Sequence, residues 1–151
     1  MLSTICTQIN PRAEWFYMDN CIFCKIIARE IPAEVIYEND QVLAFLDIAP
    51  VSEGHTLVIP KRHARNLTDG TVEDAKSMIT AVHEIAPKML RALGATAYNL
   101  GMNHGEDAGQ DVFHTHMHIM PRYVGVPRSF TQMHPNAETI RAVAEKIRVT
   151  F

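Results

Sequence analysis

The sequence predicts an α+β fold in which helices pack on one side of an antiparallel sheet. Three observations carry this. Short apolar runs at 34–38, 41–46 and 56–60 lie close together and suit an antiparallel meander. One long segment, 68–93, repeats apolar residues at steps of three and four. A later segment, HTHMHIM, alternates with period two.

Residues 1–20 lack periodicity and read as a poorly ordered N-terminal extension, with Met18 as an alternative start. Residues 21–122 read as the main domain, and 123–151 as a C-terminal segment with a terminal helix. Residues 24–29 suit one or two helical turns. The strands at 34–38 and 41–46 join across Asn39-Asp40, a turn pair. A third strand, TLVIP (Thr56–Pro60), is stopped by its own proline. In the long helix Thr71 can cap, with Asp74 three residues on. Val72, Ala75, Ile79, Val82, Ala86, Met89 and Leu93 form its apolar face, which is core or interface material. Gly94 sits where the helix terminates, and Pro87 should kink it. Residues 96–101 read as a strand, NHGEDAGQ (103–110) as a loop and 111–122 as a fifth strand. The last helix spans 136–149, with Asn136 as cap and Ile140, Val143, Ala144 and Ile147 on one face.

The 151 residues suffice for one domain with a core, and 47% apolar with 21% charged is ordinary globular usage. Fourteen Lys and Arg against 17 Asp and Glu give −3. That balance, without a basic stripe, argues against nucleic acid as partner. No apolar run is long enough to span a bilayer. The start has no secretory signal pattern, and three cysteines (Cys6, Cys21, Cys24) do not make a disulfide scaffold. A reducing cytoplasm is the expected location.

Histidine is the unusual residue: eight in all, three of them within five positions. On a strand His114, His116, His118 and Met120 share one face, and Thr115, Met117 and Ile119 the other. At about 3.3 Å per residue the outer two histidines of a straight strand lie roughly 13 Å apart, too far to share one metal. The row therefore divides its labour, and at least one imidazole is left for nucleophilic or acid–base work. A chance cluster explains a single histidine better; three in alternation on an apolar strand favour chemistry. Just before the row, Gly105 and Gly109 let backbone N–H groups approach an anion, and Asn103 and Gln110 add donors. Cys21-Ile-Phe-Cys24 has zinc-knuckle spacing. A redox pair would follow a strand in a βαβ unit, which is lacking here; two buried thiols are the bland alternative. A four-ligand site needs two more donors. His63 and His114 are candidates, and residues such as His104 and His83 stay open.

Three blocks, CIFCKII, LAFLDIAPVSEGHTLVIPKRH and NHGEDAGQDVFHTHMHIMPR, resemble the histidine-triad (HIT) superfamily, specifically its Hint-like bacterial branch. The resemblance covers residues 20–122, and the blocks stand in the family's order. It implies a HIT-like fold: a five-stranded antiparallel sheet with two main helices, two such sheets joined across a homodimer. It implies purine nucleotide substrates cleaved at the α-phosphate, among them nucleoside phosphoramidates and dinucleoside polyphosphates. Carried over, His116 is the nucleophile that forms a nucleotidyl-histidine, its other nitrogen held by a backbone carbonyl. His118 and His55 are the supporting histidines. Asn103, Gly109 and Gln110 contact phosphate and leaving group, and Asp47 accepts the ribose hydroxyls. Phe23, Ile26, Phe45 and Ile48 form the slot for the base, or simply core. Cys21, Cys24, His63 and His114 resemble the ligands of one structural zinc per subunit. Thr115 departs mildly from the apolar pattern. Asp111 stands where many relatives carry Ser or Thr, and strand parity is expected to turn it aside. Two rivals remain: a nucleotide-binding regulatory module with incidental hydrolysis, and a zinc-stabilised interaction protein without nucleotide affinity.

Overall fold

The computed structural model describes residues 18–151, so residues 1–17 of the expected extension lie outside the described residues. Five strands form one antiparallel sheet: β1 (Val35–Glu38), β2 (Val42–Leu46), β3 (Thr56–Pro60), β4 (Ala97–Gly101) and β5 (Met117–Arg122), in the order β1-β2-β3-β5-β4. Three helices accompany it: α1 (Ile22–Ile27), α2 (Val72–Leu93) and α3 (Ala137–Arg148).

The central strands β2 and β3 are buried at every position. Both sheet faces are therefore covered, which is why these runs read as continuously apolar rather than alternating. Val42, Ala44, Leu46, Val58 and Ile119 pack under α2 and α3, with Met78, Ile85, Met89, Val143 and Ile147. Leu43, Phe45, Leu57 and Ile59 face the other way, against Phe23, Cys24 and Ile26 of α1. The expectation of helices on one side thus needs correction: six residues of α1 cover the opposite face. They are the part that builds the site.

α2 begins at a complete capping box. Thr71 accepts from the Asp74 N–H, and the Asp74 carboxylate accepts from the Thr71 N–H at 2.9 Å. Arg62 adds an ion pair to Asp74. The helix runs without interruption through Pro87 to Gly94, whose φ of 68° ends it. Its buried face is Met78, Ala81, Val82, Ile85, Ala86 and Met89. Val72 and Ile79 are exposed, contrary to the sequence reading, because the core stripe is centred on Met78 and Ile85. Asn136 caps α3 by accepting from Thr139 N–H at 2.8 Å, as its sequence implies. Arg148 ties α3 to β1 through the Val35 carbonyl.

β5 starts six residues later than expected, at Met117 rather than 111. His114 and His116 lie in an irregular lead-in, where Thr115 N–H donates to the Ala64 carbonyl at 2.8 Å instead of joining the ladder. Gly54 fixes the turn before His55. Its φ is +80°, in the left-handed region that favours glycine, and an added Cβ would stand 2.3 Å from Leu93 Cδ1, which would have to move. β4 is an open edge with Tyr98 and Leu100 exposed. No helix among the described residues is long and apolar enough to cross a membrane.

Candidate functional site

Phe45 on β2, Leu57 on β3 and His118 on β5 stand in register across the α1 face of the sheet. A cleft of about 780 Å³ opens on that face. It is lined by Phe23, Ile26, Phe45 and Ile48 at its apolar end, then by Asp47, His55, His116 and His118, with Asn103 and Gly109 opposite. Phe23, Ile26 and Phe45 are buried, whereas Ile48 is 77% exposed and forms the rim. The Phe23 ring meets Phe45, His114 and His116 edge-on at 5.5, 5.9 and 5.3 Å, so α1 places the apolar slot directly beside the histidines.

The imidazole tautomers follow from their partners. A carbonyl only accepts, so a ring nitrogen at hydrogen-bond distance from one must carry the proton. His116 Nδ1–H donates to the His114 carbonyl at 2.6 Å, which leaves Nε2 with a free lone pair. His114 Nε2–H donates to the Pro60 carbonyl at 2.8 Å, which leaves its Nδ1 free. The Val51 N–H donates to His55 Nδ1 at 3.2 Å. Neutral His55 then carries its proton on Nε2 and donates to His118 Nδ1, 2.9 Å away. His118 in turn is protonated on Nε2, a nitrogen shielded from water and without a protein partner. The row thus holds one free lone pair, on His116, and one unsatisfied donor, on His118, both residues lining the cleft.

Burial keeps these rings neutral. It pushes His118 down to about 4, helped by the neighbouring His116 and His55. His55 is lowered by burial, and the opposing pull of Asp47 does not offset it. The 3.5 Å between Asp47 and His55 Nδ1 is accordingly not an ion pair, because that nitrogen already accepts from Val51. His116 is lowered by burial too, against the raising effect of the His114 carbonyl, Asp47 and Asp111.

The same residue His114 turns its free Nδ1 away from the cleft and into a second cluster. That Nδ1 lies 3.5 Å from Cys21 Sγ, 3.7 Å from Cys24 Sγ and 3.3 Å from His63 Nδ1, and Cys24 Sγ lies 3.4 Å from His63 Nδ1. Donors at tetrahedral corners, ~2.0–2.1 Å (nitrogen) and ~2.3 Å (sulfur) from one ion, stand roughly 3.3–3.8 Å apart. The four donors fit that tetrahedron. Their chemistry fits as well: burial pushes the Cys24 thiol up to about 11, and a bound divalent cation is what makes a buried thiolate tolerable. Of the histidines left open by the sequence, His83 and His104 are exposed and apart from the cluster.

Two site residues are placed differently from the sequence reading. Gln110 is buried, and its amide holds the loop rather than facing the cleft: Nε2 donates to the Arg65 and Val112 carbonyls, and Oε1 accepts from Gly105 N–H. Asp111 lines the cleft instead of turning aside, because the regular strand that would set its parity has not yet begun. Asn103 Nδ2 donates to the Gly109 carbonyl, and Asp47 Oδ1 accepts from Ala49 N–H, so both side chains are oriented. Sequence reasoning missed the Pro60 carbonyl, the Val51 N–H and the cleft residues Phe130 and Gln132; backbone groups and irregular segments leave no residue-type signal.

The pH dependence has a definite sign. Unfolded, His118 titrates near its ordinary 6.5; folded, near 4. Between those values the unfolded chain binds more protons, so stability is full above about 6.5 and falls as pH drops toward about 4. The melting temperature should decline through this window, and less steeply in His118→Gln. Equal slopes for variant and parent would contradict the buried neutral ring.

Residues 28–125 match the HIT domain family. The chain is 53% identical over 105 residues to "Protein hit" of Bacillus subtilis (strain 168), covering 70% of this chain and 72% of that protein. It is 42% identical to the adenylylsulfatase HINT3 of Arabidopsis thaliana, over 69% of this chain and 53% of that protein. Among solved structures, a Zn-bound histidine triad family protein from Mycobacterium smegmatis superposes with a TM-score of 0.80 at 37% identity, over 87% of this chain and 92% of that one. With a matching fold and a match over most of its length, the chain belongs to the HIT-domain family.

Proposed function

We propose that the chain is a nucleotide hydrolase or transferase that cleaves purine nucleoside phosphoramidates or dinucleoside polyphosphates at the α-phosphate, through a nucleotidyl-histidine on His116. One observation carries this reading: the 2.6 Å bond from His116 Nδ1–H to the His114 carbonyl, which commits the Nε2 lone pair to the cleft. Nε2 attacks the α-phosphorus, the bond to the leaving group breaks as that group takes a proton from solvent, and water later cleaves the P–N bond to release a nucleoside monophosphate and free His116. The His118 Nε2–H donates to a phosphate oxygen and so gains the partner it lacks. His55 fixes that proton by donating to His118 Nδ1. The buried slot of Phe23, Ile26 and Phe45, with Ile48 at the rim, takes the base, and Asp47 takes the ribose hydroxyls. His114 is not the leaving group's proton donor in this scheme, since its Nε2–H is held by Pro60 and its Nδ1 by the second cluster. The adenylylsulfatase relative supports an adenylyl group as substrate.

Intact-mass spectrometry during a single turnover with adenosine 5′-phosphoramidate or a diadenosine polyphosphate should show an adenylyl adduct that His116→Gly abolishes. Nucleotide binding without adduct or turnover would favour a regulatory module instead.

The cluster of Cys21, Cys24, His63 and His114 suits zinc, whose preferred tetrahedron its spacings match. Zinc there would join α1, the residues after β3 and the lead-in to β5, a structural role. Cys24→Ser should lower metal content, read by plasma emission, together with the melting temperature. A metal-free variant of unchanged stability would contradict that role.

A homodimer is part of the same reading, since the exposed β4 edge can extend the sheet into a second copy. Sedimentation velocity at micromolar concentration should give a dimer mass, and a monomer would contradict it.

A further inference from the structure

Beyond His118 the cleft continues along β5. His118, Met120 and Arg122 alternate onto one face of this strand. Past His118 the cleft is lined by Met120, Phe130 and Gln132. There it meets a second cavity of about 660 Å³, which shares Val51 and Gln132 with it and adds Ser52 and Arg122.

Arg122 is half-buried, and no carboxylate among the described residues lies within ion-pair distance of it. Its Nε donates to Asn99 Oδ1 at 2.8 Å and its Nη1 to the Ser129 carbonyl at 2.9 Å. Its Nη2 has neither protein partner nor contact with water, and the same holds for Ser52 Oγ. A buried donor without an acceptor is costly, and more so on a cation. Asn99 stands opposite Met120, so the guanidinium leans back toward His118. The separation left along the strand is about 7 Å, two residues' rise. The Arg122 charge is also felt at His55, whose proton affinity it lowers. Over the guanidinium lies the Phe130 ring, 5.0 Å away and 60% exposed, in a segment without regular structure. An exposed ring in an irregular segment can turn aside at little cost in buried contacts. Glu53 lines the rim of the same cavity with an exposed side chain and lies outside ion-pair distance of Arg122.

We propose that Arg122 and Ser52 form an anion subsite for the leaving group, selecting substrates whose phosphates continue beyond the α-phosphate. The proposal rests on the reading that the α-phosphate sits between His116 and His118. One or two further phosphates cover the 7 Å to the guanidinium, whose fork suits phosphate oxygens, whereas a small neutral amine stops short of it.

Calorimetric affinities for AMP and ATP without added magnesium test this, in the parent, Arg122→Gln, Arg122→Lys and Ser52→Ala, each first checked by melting temperature. Arg122→Gln should weaken ATP by about tenfold or more and AMP by less than about twofold, the loss expected for a hydrogen bond to a charged group. Arg122→Lys should recover part of the loss, and Ser52→Ala should weaken ATP alone by about threefold. Equal losses for both nucleotides, unchanged ATP affinity, or a parent that binds ATP no tighter than AMP would overturn it. If Arg122→Gln fails to fold, Ser52→Ala decides by the same criterion. The affinities do not depend on turnover, so a failure of the His116 scheme shows separately, as absence of adduct with the ATP preference intact.

Discussion

His114 is held from both ends, and the site depends on it. Its ring sits wholly buried between Cys21, Cys24 and His63, with Nε2–H bonded to Pro60. Its carbonyl accepts the Nδ1–H of His116. One residue therefore anchors the thiol–imidazole cluster and sets the tautomer of the neighbouring imidazole. A displacement of the His114 backbone would move both ring and carbonyl, and the His116 lone pair would lose its direction. The cluster draws on α1, the segment after β3 and the approach to β5, so it fixes the three parts of the chain that surround the apolar slot. Under the proposed function, a metal held by this cluster would steady His116 without touching the substrate.

The second constraint is burial. A sheet covered on both faces holds four imidazoles in a poorly hydrated row, and the neutral form of each is favoured. Neutral rings in a hydrogen-bonded chain have a direction. The Val51 N–H starts one that ends at the unsatisfied His118 Nε2–H. The His114 carbonyl starts the other, which ends at the His116 lone pair. Donor and lone pair lie on adjacent rings, whose centroids are 5.0 Å apart. That pairing, a nucleophile beside a fixed donor, is what attack on a phosphorus centre calls for.

Much of this was legible in the residues. Capping chemistry placed both long helices to within a residue or two, because Thr71 with Asp74 and Asn136 with Thr139 are local interactions. The Cys21 and Cys24 spacing and the alternating histidines marked the two clusters; strand rise argued only that the outer two histidines could not share one metal, and His114 and His116 in fact precede the regular strand. What did not read out was non-local. The buried stripe of α2 depends on where the sheet lies, so Val72 and Ile79 turned out exposed. The start of β5 depends on Ala64, which draws Thr115 out of the ladder, and with it went the expected parity of Asp111. Gln110 has the same donors whether it faces a phosphate or a loop, and only the fold decides. α1 is too short to announce the face it covers.

The most direct test of the account is the protonation pattern of the histidine row, read by long-range proton–nitrogen NMR on uniformly labelled protein at neutral pH. Neutral rings are expected, with His116 protonated at Nδ1 and His118 at Nε2. A charged ring at His116, or a proton on its Nε2, would mean that the nitrogen assigned to attack has no lone pair to offer, and would contradict the central claim.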